Sequence, residues 1–182
     1  MSDLPTLTIR GLRSDDWTAL YALFCNEAVL LHTFDLPYIS EESFRERVNN
    51  PPASVHTLVA ELMLPSGRER VVGVAWLKVS EHRQRHLARL VLAIQPELRG
   101  GEIEAGLLQA TLALADEWLA LRRVETVVFP PDDAHIALLQ QHGFVHEATM
   151  RRYVVRGGEY ADAWLLARLR PAVTSGEQGG IA

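Results

Sequence analysis

Cysteine, lysine and long uncharged apolar runs are what this sequence of 182 residues has least of. A single thiol, Cys25, excludes an intrachain disulfide and any thiolate-bound metal cluster. It stands within the apolar run 20–31, which predicts a buried thiol rather than a nucleophile. No segment reaches the roughly 18 uncharged apolar residues that a membrane-spanning helix needs, so none is expected. The opening MSDLPTLTIR has neither a basic start nor an apolar centre, so no signal peptide is read. A reducing cytoplasm is the expected compartment. An excess of basic charge is missing too: 18 Lys and Arg face 23 Asp and Glu, for a net charge of -5. That balance argues against a general nucleic-acid surface. Lys78 is the sole lysine, and the arginines read as compositional bias rather than a phosphate-binding device.

What is present suits one compact domain. With 48% hydrophobic and 23% charged residues the chain can bury a core, and it is too short for two ordinary domains. We expect a single domain over residues 1–171 and a flexible tail over 172–182, where three glycines fall. Residues 6–10 alternate as a first strand. Ser14-Asp15-Asp16 offers an N-cap for a helix whose apolar residues begin at Trp17. Ser40 caps a second helix that ends at Asn49-Asn50-Pro51-Pro52. Strands follow at 57–62 and 71–79, joined by a turn at Pro65-Ser66-Gly67, and at 88–94, an almost wholly apolar run. A long helix over 103–121 carries an apolar stripe of Leu107, Thr111, Leu114, Trp118 and Leu121. A strand at 124–129, a short helix at 134–141 closed by His142-Gly143, and two strands at 148–155 and 160–169 complete the chain. The order β-α-α-β-β-β-α-β-α-β-β predicts a mixed α/β sheet of about seven strands flanked by about four helices. One parallel crossover runs through the long helix.

That order, together with IQPELRGGEIEAGLLQATLALADEW, DDAHIALLQQHGF and RRYVVRGGEYADAWLLAR, resembles the GNAT (Gcn5-related N-acetyltransferase) superfamily. HTFDLPYISEESFRERV is similar to the bacterial branch that acetylates amino acids and other small amines. The resemblance spans residues 8–170. It implies acetyl-CoA as donor, a small-molecule amine as acceptor, and a homodimer in which Tyr160, Trp164 and Leu166 could serve. It implies no membrane and no nucleic acid. The pantetheine arm would pair with the backbone of the fourth strand at Leu92 and Ile94. The diphosphate would meet the turn that reads (Gln/Arg)-x-x-Gly-x-(Gly/Ala) in the family. Here that turn is Arg99-Gly100-Gly101-Glu102-Ile103-Glu104, which makes Arg99, Gly100, Gly101 and Ile103 the expected cofactor-binding residues. Open amides and a positive dipole at a helix start attract an anion, and glycines let it approach closely.

Both small positions of the motif are glutamates, Glu102 and Glu104. A carboxylate about 5 Å from a phosphate charge repels it by roughly 3 kcal/mol at an effective dielectric near 20. Two would cost about a thousandfold in affinity. As first-turn acids the same residues suit the helix dipole, so on this reading the protein supplies its own anions at the site. The family's Asn at the start of the short helix is Asp132, and its proton-donating Tyr is Leu139, which cannot donate. His142 could substitute or could cap the helix end.

The base is left open among Glu61, Glu125 and Asp162, each also readable as a solvent-facing strand residue. His32, Phe34, Asp35 and Tyr38 lie in the loop over the expected substrate end, where aromatics beside an acid suit an ammonium. His82 and His86 lack a helix and a third ligand, so no metal site is expected. Arg83, Arg85 and Arg89 read as a solvated hairpin end. Two functions follow: an N-acetyltransferase, or a degenerate relative (a pseudoenzyme) that binds or regulates without using acetyl-CoA.

Overall fold

The computed structural model describes residues 6–170; the expected tail at 172–182 lies outside them, as do the ends of the expected domain. Seven strands form one sheet in the order β1-β2-β3-β4-β5-β7-β6. They are β1 (Thr6–Gly11), β2 (Val55–Met63), β3 (Glu69–Val79), β4 (Leu87–Ile94), β5 (Arg123–Val128), β6 (Val145–Arg156) and β7 (Glu159–Leu169). All pairs are antiparallel except β4–β5, the expected crossover. The inner strands are legible by alternation or by a continuous apolar run, because one or both of their sides face a buried layer, whereas the edge strands β1 and β6 have no fully buried residue.

Five helices cover the faces: α1 (Trp17–Phe24), α2 (Glu27–Leu30), α3 (Glu41–Asn49), α4 (Glu102–Ala113) and α5 (Asp133–Gln141). Ser40 caps α3 as expected, its hydroxyl accepting from the Ser43 amide at 3.2 Å. On one face Phe24 and Phe44 of α1 and α3 pack against Val59, Val74 and Ala93 of the sheet. On the other, Leu107, Leu108 and Leu112 of α4 and Leu139 of α5 pack on Ala75, Leu77 and Leu90.

Three expectations at this level need correction. α1 stops at Phe24, the last of its expected apolar residues, and Asn26 caps α2 by accepting from the Ala28 amide at 2.9 Å. Cys25 sits at that break and is exposed, not buried. Asp16 occupies the N-cap position of α1 without capping it. Its carboxylate takes two bonds from Arg10 at 2.8 Å and one from the Arg13 amide at 2.6 Å. The long helix keeps α geometry only to Ala113; Leu114–Trp118 form one wide π turn. The extra residue in that turn rotates the expected stripe, which leaves Trp118 81% exposed.

Candidate functional site

The site begins where the sheet opens. β4 and β5 pair only through Leu87–Arg89 and Arg123–Glu125. Beyond Arg89 the β4 edge facing β5 has no strand partner among the described residues, while β3 still pairs the other edge out to Ile94. The resulting cleft is walled by Leu90–Leu92 and Thr126–Phe129, with His32, Thr33 and Phe34 along one side. It is a narrow slot with about 20 Å³ of free volume. Leu92 and Ile94 stand on this unpaired stretch, and Leu92 lines the cleft; both side chains are buried, so what they offer is backbone.

At the mouth of the slot the chain turns into α4. Gly100 has φ +73°, the left-handed region, and a Cβ there would come within 2.5 Å of the Ala134 Cβ on α5. The packing of turn on helix therefore requires glycine here by itself. Gly101 is the N-cap of α4 and contributes no side-chain bond. The amides of Glu102, Ile103 and Glu104 open the helix, and none has a backbone or side-chain acceptor among the described residues. Open amides at a helix start form an anion site.

The two glutamates of the turn behave differently. Glu102 is exposed and pairs with nothing among the described residues. Glu104 is 0% exposed: its Oε2 accepts from the Gly100 amide at 2.6 Å, and Oε1 lies 3.0 Å from His135 Nδ1 and 3.5 Å from Arg99 Nη1. Burial pushes this carboxyl up, but His135, Arg99 and the Gly100 amide outweigh it and hold it below the usual carboxylate range. The expectation that both carboxylates stand in an anion's path thus fails for Glu104. It points into the protein, behind the open amides, and its charge is balanced.

Asp132 is the second buried anion, at the N-cap position of α5. Arg99 donates to its Oδ2 through Nε at 2.8 Å and Nη2 at 2.5 Å, and His32 Nδ1 lies 3.1 Å from the same oxygen. Burial again pushes the carboxyl up, and His32 and Arg99 hold it far below its ordinary value. The His32 and His135 contacts are ion-pair distances, since neither Nδ1 is aligned for a hydrogen bond. Arg99 therefore ties the turn, through Asp132, to the loop after α2. Leu139 is wholly buried in the α4–α5 core and has no place in the slot. His142 caps α5, its Nδ1 lying 2.9 Å from the Leu138 carbonyl oxygen.

Beside the slot, on the α3 face, lies a pocket of about 290 Å³ between α3, β2, β3 and β4. Its walls are mostly apolar, with Val48, Pro52, Trp76 and Val91 prominent. Three cations and one carboxylate line it: Arg47 is paired with Asp35, whereas Lys78 and Arg89 have no ion-pair partner among the described residues. Thr33, Phe34, Arg89 and Val91 border both pocket and slot, so the two adjoin.

The remaining candidates disperse. Glu61 is buried, not solvent-facing, and accepts from Arg10 Nε at 3.0 Å. Glu125 accepts from Arg123 at 2.6 Å, and Asp162 from the Arg152 amide at 2.8 Å. In the α2–α3 loop, Phe34 packs edge-on against Phe129 at 5.1 Å, and Asp35 is bonded to Arg47. Tyr38 is fully exposed. No group able to hold a metal exists among the described residues. Leu166 is buried and cannot serve a dimer surface, and Trp164 lies against His146 at 4.9 Å. Sequence reasoning missed His135, Trp76 and Lys78. The last two lie two apart on one strand, and alternation places them on one face, which was the available signal.

Residues 17–144, well over half the chain, match the family model described as Acetyltransferase (GNAT) family. The L-amino acid N-acetyltransferase AaaT of Escherichia coli (strain K12) is 26% identical over 165 residues, covering 90% of this chain and 98% of that protein. Among solved structures, the spermidine N-acetyltransferase from Vibrio cholerae in complex with CoA and spermine superposes with a TM-score of 0.78. It is 22% identical and the match covers 90% of this chain and 95% of that one. The GNAT-family acetyltransferase from Streptococcus pneumoniae superposes at 0.72 with 24% identity, covering 91% and 100%.

Proposed function

Because the chain belongs to the GNAT acetyltransferase family, we propose that it moves the acetyl group of acetyl-CoA to the α-amine of a small amino acid. The donor supplies an activated thioester. The chain's part is to bind, orient and handle protons. The residues present fit such a donor: the amides of Glu102, Ile103 and Glu104 are open for its diphosphate, and the unpaired edge of β4 past Arg89 offers backbone to its arm.

The observation that carries the choice of acceptor is the pair of unpartnered cations in an apolar pocket of amino-acid size. Lys78 and Arg89 attract a carboxylate, and they repel a polyamine. The apolar walls take an uncharged side chain, and the amine is left toward the adjoining slot. Nearness to the AaaT protein supports the same class. The homodimer and the cytoplasmic setting belong to this reading as well, with exposed Tyr160 at the β6–β7 turn available for a partner.

The test is an acceptor panel with acetyl-CoA, following release of the free thiol. Apolar amino acids should exceed their decarboxylated amines by about 10-fold or more in kcat/KM, the value of one charge-assisted contact. Spermidine outrunning every amino acid would overturn the choice of acceptor. The second reading, a degenerate binding module, draws on Leu139 standing where the family has its proton donor. It predicts no product with any amine.

A further inference from the structure

The acetyl-transfer reading leaves one proton without a donor, because the residue aligned with the family's acid, Leu139, is sealed in the core. Of the two histidines that line the slot, one keeps a ring nitrogen free. His32 lines the slot, on the loop after α2, opposite Leu90–Leu92 and Thr126–Phe129. Its Nδ1 is buried and faces Asp132 Oδ2 at 3.1 Å, while the side chain keeps 22% of its exposure. Nε2 is not among the buried atoms and has no partner among the described residues, so it is the nitrogen free to act. Asp132 is fixed in turn by two bonds from Arg99. The carboxylate beside one nitrogen orients the ring and leaves the other nitrogen facing the cleft, where an imidazole can pass a proton.

We propose that His32 is the catalytic acid of this protein and that Asp132 positions it. The inference rests on the acetyl-transfer reading. As the carbon–sulfur bond of the thioester breaks, its electron pair goes to sulfur and the Nε2 proton passes to that sulfur. The products are a free thiol and a neutral imidazole. The acceptor ammonium first gives one proton to water; its neutral nitrogen then bonds to the carbonyl carbon, and the second proton it sheds on becoming an amide restores the imidazolium, so one proton is released overall. His135, the other histidine of the cluster, cannot take this part: it is 4% exposed and faces Glu104.

The test uses the whole protein, acetyl-CoA and whichever amino acid reacts fastest in the acceptor panel. His32→Gln should lower kcat by about 100-fold or more, within the range general acids contribute. The dissociation constant for acetyl-CoA and KM for the amine should stay within about threefold. A residue that merely propped the loop would move those constants instead. Asp132→Asn should lower kcat less than His32→Gln. Independently of turnover, the ring resonances of His32 in histidine-labelled wild-type protein should shift on adding CoA, and this reading survives even if the variant does not fold. Wild-type kcat in folded His32→Gln, or an unmoved His32 signal at saturating CoA, overturns the assignment and leaves the acetyl-transfer reading standing. Failure of the wild-type protein to bind acetyl-CoA overturns both.

Discussion

Glu104→Ala should lower the midpoint of thermal unfolding by about 6–20 °C. The substitution removes a buried carboxylate from between Arg99, His135 and the Gly100 amide. Taking one partner from a buried ion pair costs about 3–5 kcal/mol, because the charge left behind has lost its solvent and its counter-ion. For a chain of this length each kcal/mol is worth about 2–4 °C. Glu104→Gln keeps an acceptor for Gly100 but no charge for Arg99, so it should fall between wild type and alanine. Calorimetry reads both. An alanine variant within 1 °C of wild type would show that the carboxylate contributes nothing net.

Arg10→Met should be as damaging, for the same reason at a different place. Arg10 joins β1 to the start of α1 and to β2 by donating to Asp16 and Glu61, whose side chains are 5% and 9% exposed. Both carboxyls are held below their ordinary range. For Asp16 burial works against Arg10 and the Arg13 amide and loses; for Glu61 the Arg10 bonds lead. Removing the guanidinium strands two buried anions, at about 3–5 kcal/mol. Half-exposed Arg13 and Glu69, 3.7 Å apart, provide the contrast: their loss should change stability by no more than about 1 kcal/mol. The two variants separate stability from function. Among the described residues the Arg10 guanidinium bonds only to Gly11, Asp16 and Glu61 and to nothing in the turn before α4, so Arg10→Met should leave CoA affinity unchanged in the fraction that is folded. Glu104→Ala frees the Gly100 amide and should alter it.

The strands and their order were legible because each needs only local alternation and a turn. Gly157-Gly158, both at positive φ, close the β6–β7 hairpin where the sequence placed its turn. The caps were legible where they are local, as at Ser40, and misread where a distant partner competes, as at Asp16 with Arg10. The site was half legible. The family resemblance located the turn 99–104 and the residues aligned with the family's Asn and Tyr. It could not tell that Glu104 folds inward, because that depends on His135, 31 positions later and on another helix. Nor could it join His32 to Asp132, a hundred residues apart, or part β4 from β5 after three residue pairs. Such features are set by packing between elements, which no local period records.

The central claim is that the amides opening α4 receive a diphosphate although two glutamates stand in that turn. Calorimetric titration of the wild-type protein with acetyl-CoA and with acetyl-pantetheine, which has the thioester but no diphosphate, tests it directly. Saturable one-to-one binding of acetyl-CoA, at least about 100-fold tighter than acetyl-pantetheine, is the predicted result, equivalent to two charge-assisted bonds. Equal affinity for the two, or no heat with acetyl-CoA at millimolar concentration, would contradict it.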